Sequence, residues 1–90
     1  MALERELEIV NKLGLHARAA TILVKAAGKY RSKVELEKDG EKVNGKSILG
    51  VLTLAAACGD TIRLYVAGKD EGACAAEIED LVRRKFDERE

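Results

Sequence analysis

The sequence predicts an α+β fold: a two-layer open-faced sandwich of four antiparallel strands with three helices on one face, in the order β-α-β-β-α-β-α. Three observations carry this. Each strand-like run alternates apolar and polar residues, so one face is buried and the other wet, as in antiparallel sheets. Helices must then cover that single face. Finally, the 90 residues contain no proline, no low-complexity stretch and no convincing repeat. Residues 1–90 therefore read as one domain, able to bury roughly two-thirds of its unfolded surface.

The elements follow in order. Glu4 to Val10 alternates, with Leu7 and Ile9 toward a core and Glu4, Glu6 and Glu8 toward water. Ala20, Leu23, Val24 and Ala27 fall at helical spacing, and Gly28 is a natural stop. Val34 and Leu36 alternate with Lys33, Glu35 and Glu37 in a second strand. Asp39-Gly40 signals a hairpin into a short strand around Lys42 to Asn44. A helix is expected from near Ser47 to about Ala57, before Cys58-Gly59-Asp60. Ile62, Leu64 and Val66 alternate with Thr61, Arg63 and Tyr65 in a fourth strand. Asp70 is the expected N-cap of a last helix, in which Cys74, Ile78, Leu81 and Val82 share a stripe.

Composition narrows the function. Lys+Arg and Asp+Glu are both 16, giving no net charge, and one Phe and two Tyr offer little for stacking bases. A general nucleic-acid binder would carry a basic excess. No apolar run is long enough to span a bilayer, and no signal-peptide pattern opens the chain. The expected location is the cytosol, with Cys58 and Cys74 as reduced thiols that pack among small apolar neighbours. Two cysteines and one histidine show no zinc-ligand spacing, so neither metal nor cofactor is expected.

Gly40 to Ser47, GEKVNGKS, satisfies the Walker-A pattern. Its context argues against a phosphate loop. P-loop proteins use a parallel sheet covered on both faces, whereas these strands alternate, and the strand–Gly40 junction is a hairpin. Glu41 would also set a carboxylate against the phosphates. The match reads as an accident.

GLHARAAT, Gly14 to Thr21, is more informative. His16 sits where a glycine-containing loop meets the first turn of a helix. The backbone N–H groups of Ala17, Arg18 and Ala19 are early helical donors without intrahelical partners. Gly14 permits a tight turn and leaves the approach open. The planar fork of Arg18 suits a phosphate or carboxylate. An imidazole nucleophile, orphan N–H donors and an arginine make an anion site suited to transient capture of a phosphoryl group. With no base, metal cluster or cleft beside it, the site reads as that of a carrier, not of a self-sufficient enzyme.

The run after Ser47 supplies a second feature. Ile48, Leu49, Val51 and Leu52 belong to a short helix that is apolar around nearly its whole circumference. A helix on a one-faced sheet buries one stripe, so part of this surface is expected to stay exposed as a docking patch. Gly50 in mid-helix suggests a close approach there.

Together these stretches resemble the HPr family of bacterial phosphocarriers. GLHAR looks like its phosphohistidine motif, and NGKSILGVLTLAA like its serine motif and second helix. The resemblance runs nearly end to end. It implies that His16 accepts a phosphoryl group on Nδ1 from Enzyme I, which draws it from phosphoenolpyruvate, and donates it to the IIA component of a sugar permease. It implies that Arg18 stabilises the phosphoryl group and that Ser47 is the target of a regulatory kinase. The family usually has proline where this chain has Ala19; alanine permits the same geometry with less rigidity and one more N–H donor. A nitrogen-related regulatory branch and an HPr-like interaction module are the alternatives.

Overall fold

Period-two alternation in four runs builds the sheet, and the helical runs between them close one side of it. A computed structural model of the chain describes residues 2–89. Its elements are β1 (Ala2–Glu8), α1 (Ala17–Gly28), β2 (Lys33–Lys38), β3 (Glu41–Asn44), α2 (Ile48–Thr53), β4 (Thr61–Ala67) and α3 (Glu71–Arg83), followed by a 3₁₀ turn at Lys85–Asp87. The spatial order is β1-β4-β2-β3, and all pairs are antiparallel. β4, last in sequence, is thus inserted between β1 and β2, so its apolar residues are flanked on both sides. Leu7 lies opposite Ile62, Val34 opposite Val66, and Leu36 opposite Leu64. All six side chains are buried under the helices.

The other face is polar and laddered. Arg63 reaches Glu6 at 3.1 Å and Glu4 at 3.4 Å. The Tyr65 hydroxyl donates to Glu37 at 2.6 Å, and the Lys42 ammonium sits 4.1 Å from the Tyr65 ring centroid. Such surface pairs add little stability individually; the register is set by the apolar residues that must face inward.

β1 begins and ends two residues earlier than the alternation suggests. Ile9 is buried beyond the strand's end, where its N–H bonds the Asp60 carbonyl at 2.8 Å and its own carbonyl accepts from Gly59 at 2.7 Å. The hairpin signal is realised: Asp39 (φ 52°) and Gly40 (φ 82°) form a two-residue turn between the paired Lys38 and Glu41. α2 ends at Thr53, four residues before Ala57, because Ala55 turns left-handed (φ 50°). The Lys38 ammonium then reaches the carbonyls of Leu54 and Ala55 at 3.3 and 3.4 Å, serving groups left open at the helix end.

Asp70 occupies the N-cap position of α3, yet its carboxylate does not cap that helix. It accepts instead from the N–H groups of Arg31 and Ser32 and from the Ser32 hydroxyl, tying α3 to the α1–β2 loop. Cys74 is buried in the α3 stripe as expected, whereas Cys58 is exposed in the turn before β4 and does not pack.

Gly45 is set by packing. A methyl group there would lie 2.5 Å from Val34 Cγ1, and its N–H bonds the Val34 carbonyl at 2.8 Å. Gly45→Ala should therefore destabilise the fold by about 1–3 kcal/mol. Val34→Ala in the same chain should recover part of that loss, so a double-mutant cycle in urea should show less than additive effects.

Candidate functional site

The site lies where the ends of several elements meet. Asn11 and Gly14 close a turn through the Gly14 N–H to Asn11 carbonyl bond of 3.1 Å, and the buried Asn11 amide donates back to the Gly14 carbonyl at 2.8 Å. Gly14 adopts φ 67°, and a Cβ on it would fall 2.5 Å from the Ala56 carbonyl oxygen. Its missing side chain therefore makes room for the chain leaving α2, and not for an incoming ligand. The Leu15 N–H completes the seal by bonding the Ala56 carbonyl at 2.9 Å.

His16 follows as the N-cap of α1, with extended backbone (φ −75°, ψ −179°). Its carbonyl accepts the Ala20 N–H at 2.8 Å, and its side chain makes no capping bond. The N–H groups of Ala17, Arg18 and Ala19 find no acceptor among the described residues, and no acidic residue stands in the first turn. They point beyond the helix end with the positive end of its dipole, an arrangement that favours an anion. Ala19 is itself buried in the core.

The imidazole is half-buried, and its Nε2 lies 2.5 Å from Glu88 Oε2. Glu88 also accepts from the Asn11 amide at 2.9 Å and stands 3.6 Å from an Arg18 guanidinium nitrogen. Its side chain is only 6% exposed, whereas that of Arg18 is 67% exposed. Burial pushes the Glu88 carboxyl up, but the hydrogen bonds from Asn11 and His16 and the Arg18 charge outweigh it and hold the group below the usual carboxylate range. A shallow cavity of about 450 Å³ adjoins these groups, lined by Lys12, Leu13, Arg18, Glu88 and Arg89.

Sequence reasoning reached His16, Arg18 and the helix-end donors, and the structure brings these together. It missed Asn11 and Glu88. The one available signal was Phe86, a lone large apolar residue in a charged run, which is buried and draws Glu88 inward.

Ser47 lies apart, as the N-cap of α2, its hydroxyl accepting the Gly50 N–H at 3.0 Å. The glycine at position 50 is explained from within: a Cβ would crowd the Ser47 side chain and the Asn44 carbonyl, each at 3.3 Å. Of the expected docking residues, Leu49 is 77% exposed, Ile48 is also exposed and Leu52 is half-buried. Val51 is a correction. It is wholly buried against the core, because a 3.6-residue repeat turns it inward when Leu49 faces out. The Walker-A match has no cradle: Glu41 to Asn44 is strand, and the Lys46 ammonium donates to the Tyr30 carbonyl at 2.7 Å.

Comparison with known proteins agrees with this geometry. Residues 3–84 match the family described as the PTS HPr component phosphorylation site. The phosphocarrier protein HPr of Treponema pallidum is 43% identical over 84 residues, covering 93% of this chain and 96% of that protein. The HPr-like protein Crh of Halalkalibacterium halodurans is 46% identical over 68 residues, covering 76% and 81%. A crystal structure of HPr from Thermoanaerobacter tengcongensis superposes with a TM-score of 0.94 at 41% identity, covering 98% of this chain and 99% of that one. With sequence and fold in accord over nearly its whole length, the chain belongs to the HPr family of phosphocarrier proteins of the phosphotransferase system.

Proposed function

We propose that His16 accepts a phosphoryl group from Enzyme I and passes it to the IIA component of a sugar permease. The observation that carries this reading is the placement of the imidazole at a helix N-terminus, beside the Arg18 guanidinium and three N–H groups that have no acceptor among the described residues. A neutral imidazole attacks phosphorus without a separate base. The donors and Arg18 then offset the roughly −1.5 to −2 charge of the arriving group. Because Arg18 is largely exposed, its grip is softened by solvent, which suits a group that must leave again.

Leu49, with Ile48 and the half-buried Leu52, forms the surface on which Enzyme I and the acceptor dock in turn. Both partners must reach the same ring, and α2 packs directly on α1, the helix that His16 heads. Ser47 is the proposed site of a regulatory serine kinase. A phosphate there meets the N-terminal donors of α2, so the fold tolerates it, while partners must desolvate a dianion beside Leu49.

Incubation with Enzyme I and labelled phosphoenolpyruvate should give an acid-labile, base-stable product, and His16→Ala should reduce labelling to background while leaving the circular dichroism spectrum unchanged. Persistent labelling of that variant would move the acceptor elsewhere. No labelling of the unsubstituted protein would favour an interaction module. Replacing the permease component by its nitrogen-branch counterpart in the same assay distinguishes the two branches by which one accepts the label.

Ser47→Asp should raise the Enzyme I concentration for half-maximal rate by about tenfold, equivalent to about 1.4 kcal/mol, with little change at saturation. An apparent affinity unchanged from that of the unsubstituted protein, for both Ser47→Asp and authentic phosphoserine, would leave Ser47 as a helix cap only.

A further inference from the structure

Glu88 enters the site from the segment after α3, and the backbone is shaped to deliver it. Lys85, Phe86 and Asp87 all have positive φ, at 60°, 54° and 63°. Such a turn costs L-residues roughly 1–2 kcal/mol each. Burial of the Phe86 ring offsets this cost. Hydrogen bonds from the Arg84 Nε–H to Asp87 Oδ1 and from the Glu88 N–H to the Lys85 carbonyl, both 2.9 Å, close the turn. Glu88 is then held at both oxygens, Oε1 by Asn11 and Oε2 by His16. Asn11 is committed to this task, since it binds Gly14 and Glu88 through its amide donors while its Oδ1 has no partner among the described residues.

An ionised carboxylate can only accept hydrogen bonds. The His16 nitrogen facing it, Nε2, must therefore carry the hydrogen. In a neutral imidazole the lone pair then falls on Nδ1, which makes no hydrogen bond among the described residues. We propose that Glu88 is the positioning residue for phosphoryl transfer: it fixes His16 as the Nε2–H form, holds the ring against rotation, and so presents Nδ1 as the nucleophile. This rests on His16 being the phosphoryl acceptor.

The chemistry balances in both directions. The Nδ1 lone pair forms the N–P bond while the bond from phosphorus to the donor's leaving atom breaks, its electron pair staying with the donor. Nε2 keeps its proton, so the ring becomes a phosphoimidazolium whose positive charge faces the Glu88 carboxylate, as a buried aspartate faces the imidazolium of a hydrolase triad. When the acceptor attacks phosphorus, the N–P pair returns to Nδ1 and the ring departs as neutral imidazole. Without a proton on Nε2 it would have to leave as an imidazolate, a far poorer leaving group.

The test is nitrogen NMR of the ¹⁵N-labelled His16 ring at a pH where it is neutral, combined with single-turnover phosphorylation by Enzyme I. The unsubstituted protein should show one tautomer, with a proton on Nε2 that exchanges slowly with water. Glu88→Ala should lose that slow exchange and mix the tautomers. Its limiting rate should fall about tenfold while the half-saturating Enzyme I concentration stays the same. Glu88→Gln keeps an acceptor oxygen at the same reach and should recover the Nε2–H signal and most of the rate. A ring spectrum indifferent to Glu88→Ala, a limiting rate that stays level or rises, or no recovery in Glu88→Gln would overturn the proposal. Failure of the carrier reading appears separately, as absence of labelling in the unsubstituted protein.

Discussion

The seating of the Asn11–Leu15 loop against Ala56 is the contact on which the site depends. Gly14 touches the Ala56–Ala57 backbone too closely for any side chain, and the Leu15 N–H bonds the Ala56 carbonyl. Ala56 is in turn placed by the sheet. The Ala57 N–H bonds the Asp60 side chain at 2.8 Å, and Asp60 and Gly59 are laced to Ile9 at the end of β1. One contact thus joins the end of β1, the start of β4 and the exit from α2 to the first turn of α1. The direction of three helix-end N–H groups is fixed by this junction, and His16 inherits it.

Rigid placement and a weak grip divide the work. The donors are held by backbone contacts and the imidazole by the Glu88 carboxylate, so little reorganisation is needed when charge arrives. Arg18, whose guanidinium stands 3.6 Å from Glu88, stays mostly in water. A fully buried arginine would bind a phosphoryl group more tightly, but release would then be slow. For a carrier the two transfers must be comparably easy, and an exposed guanidinium beside fixed backbone donors is a physical compromise between them.

What the sequence revealed divides along a physical line. Period-two alternation is a local signal, and β2 was legible to the residue, as were the hairpin turn and the buried stripe of α3. The end of α2 was not, because it is decided by Ala55 turning left-handed and by Lys38 arriving from another strand. Val51 was misplaced for a similar reason: a helix apolar all round does not announce which side the core takes. His16 and Arg18 were legible because a histidine between a glycine turn and a helix start is unusual in itself. Glu88 was not. It stands 72 residues from His16 in a charged run whose local pattern reads as solvated, and only the turn around Phe86 folds it inward.

If the account is right, the two ring nitrogens of His16 have separate tasks, Nε2 held by Glu88 and Nδ1 left to react. The most direct measurement is the one-bond phosphorus–nitrogen coupling in the ¹⁵N-labelled phosphoprotein after reaction with Enzyme I and phosphoenolpyruvate. The account requires a single phosphoramidate signal coupled to Nδ1, with Nε2 still bearing its proton. Phosphorus coupled to Nε2, the nitrogen that faces Glu88 in the structure, would contradict it.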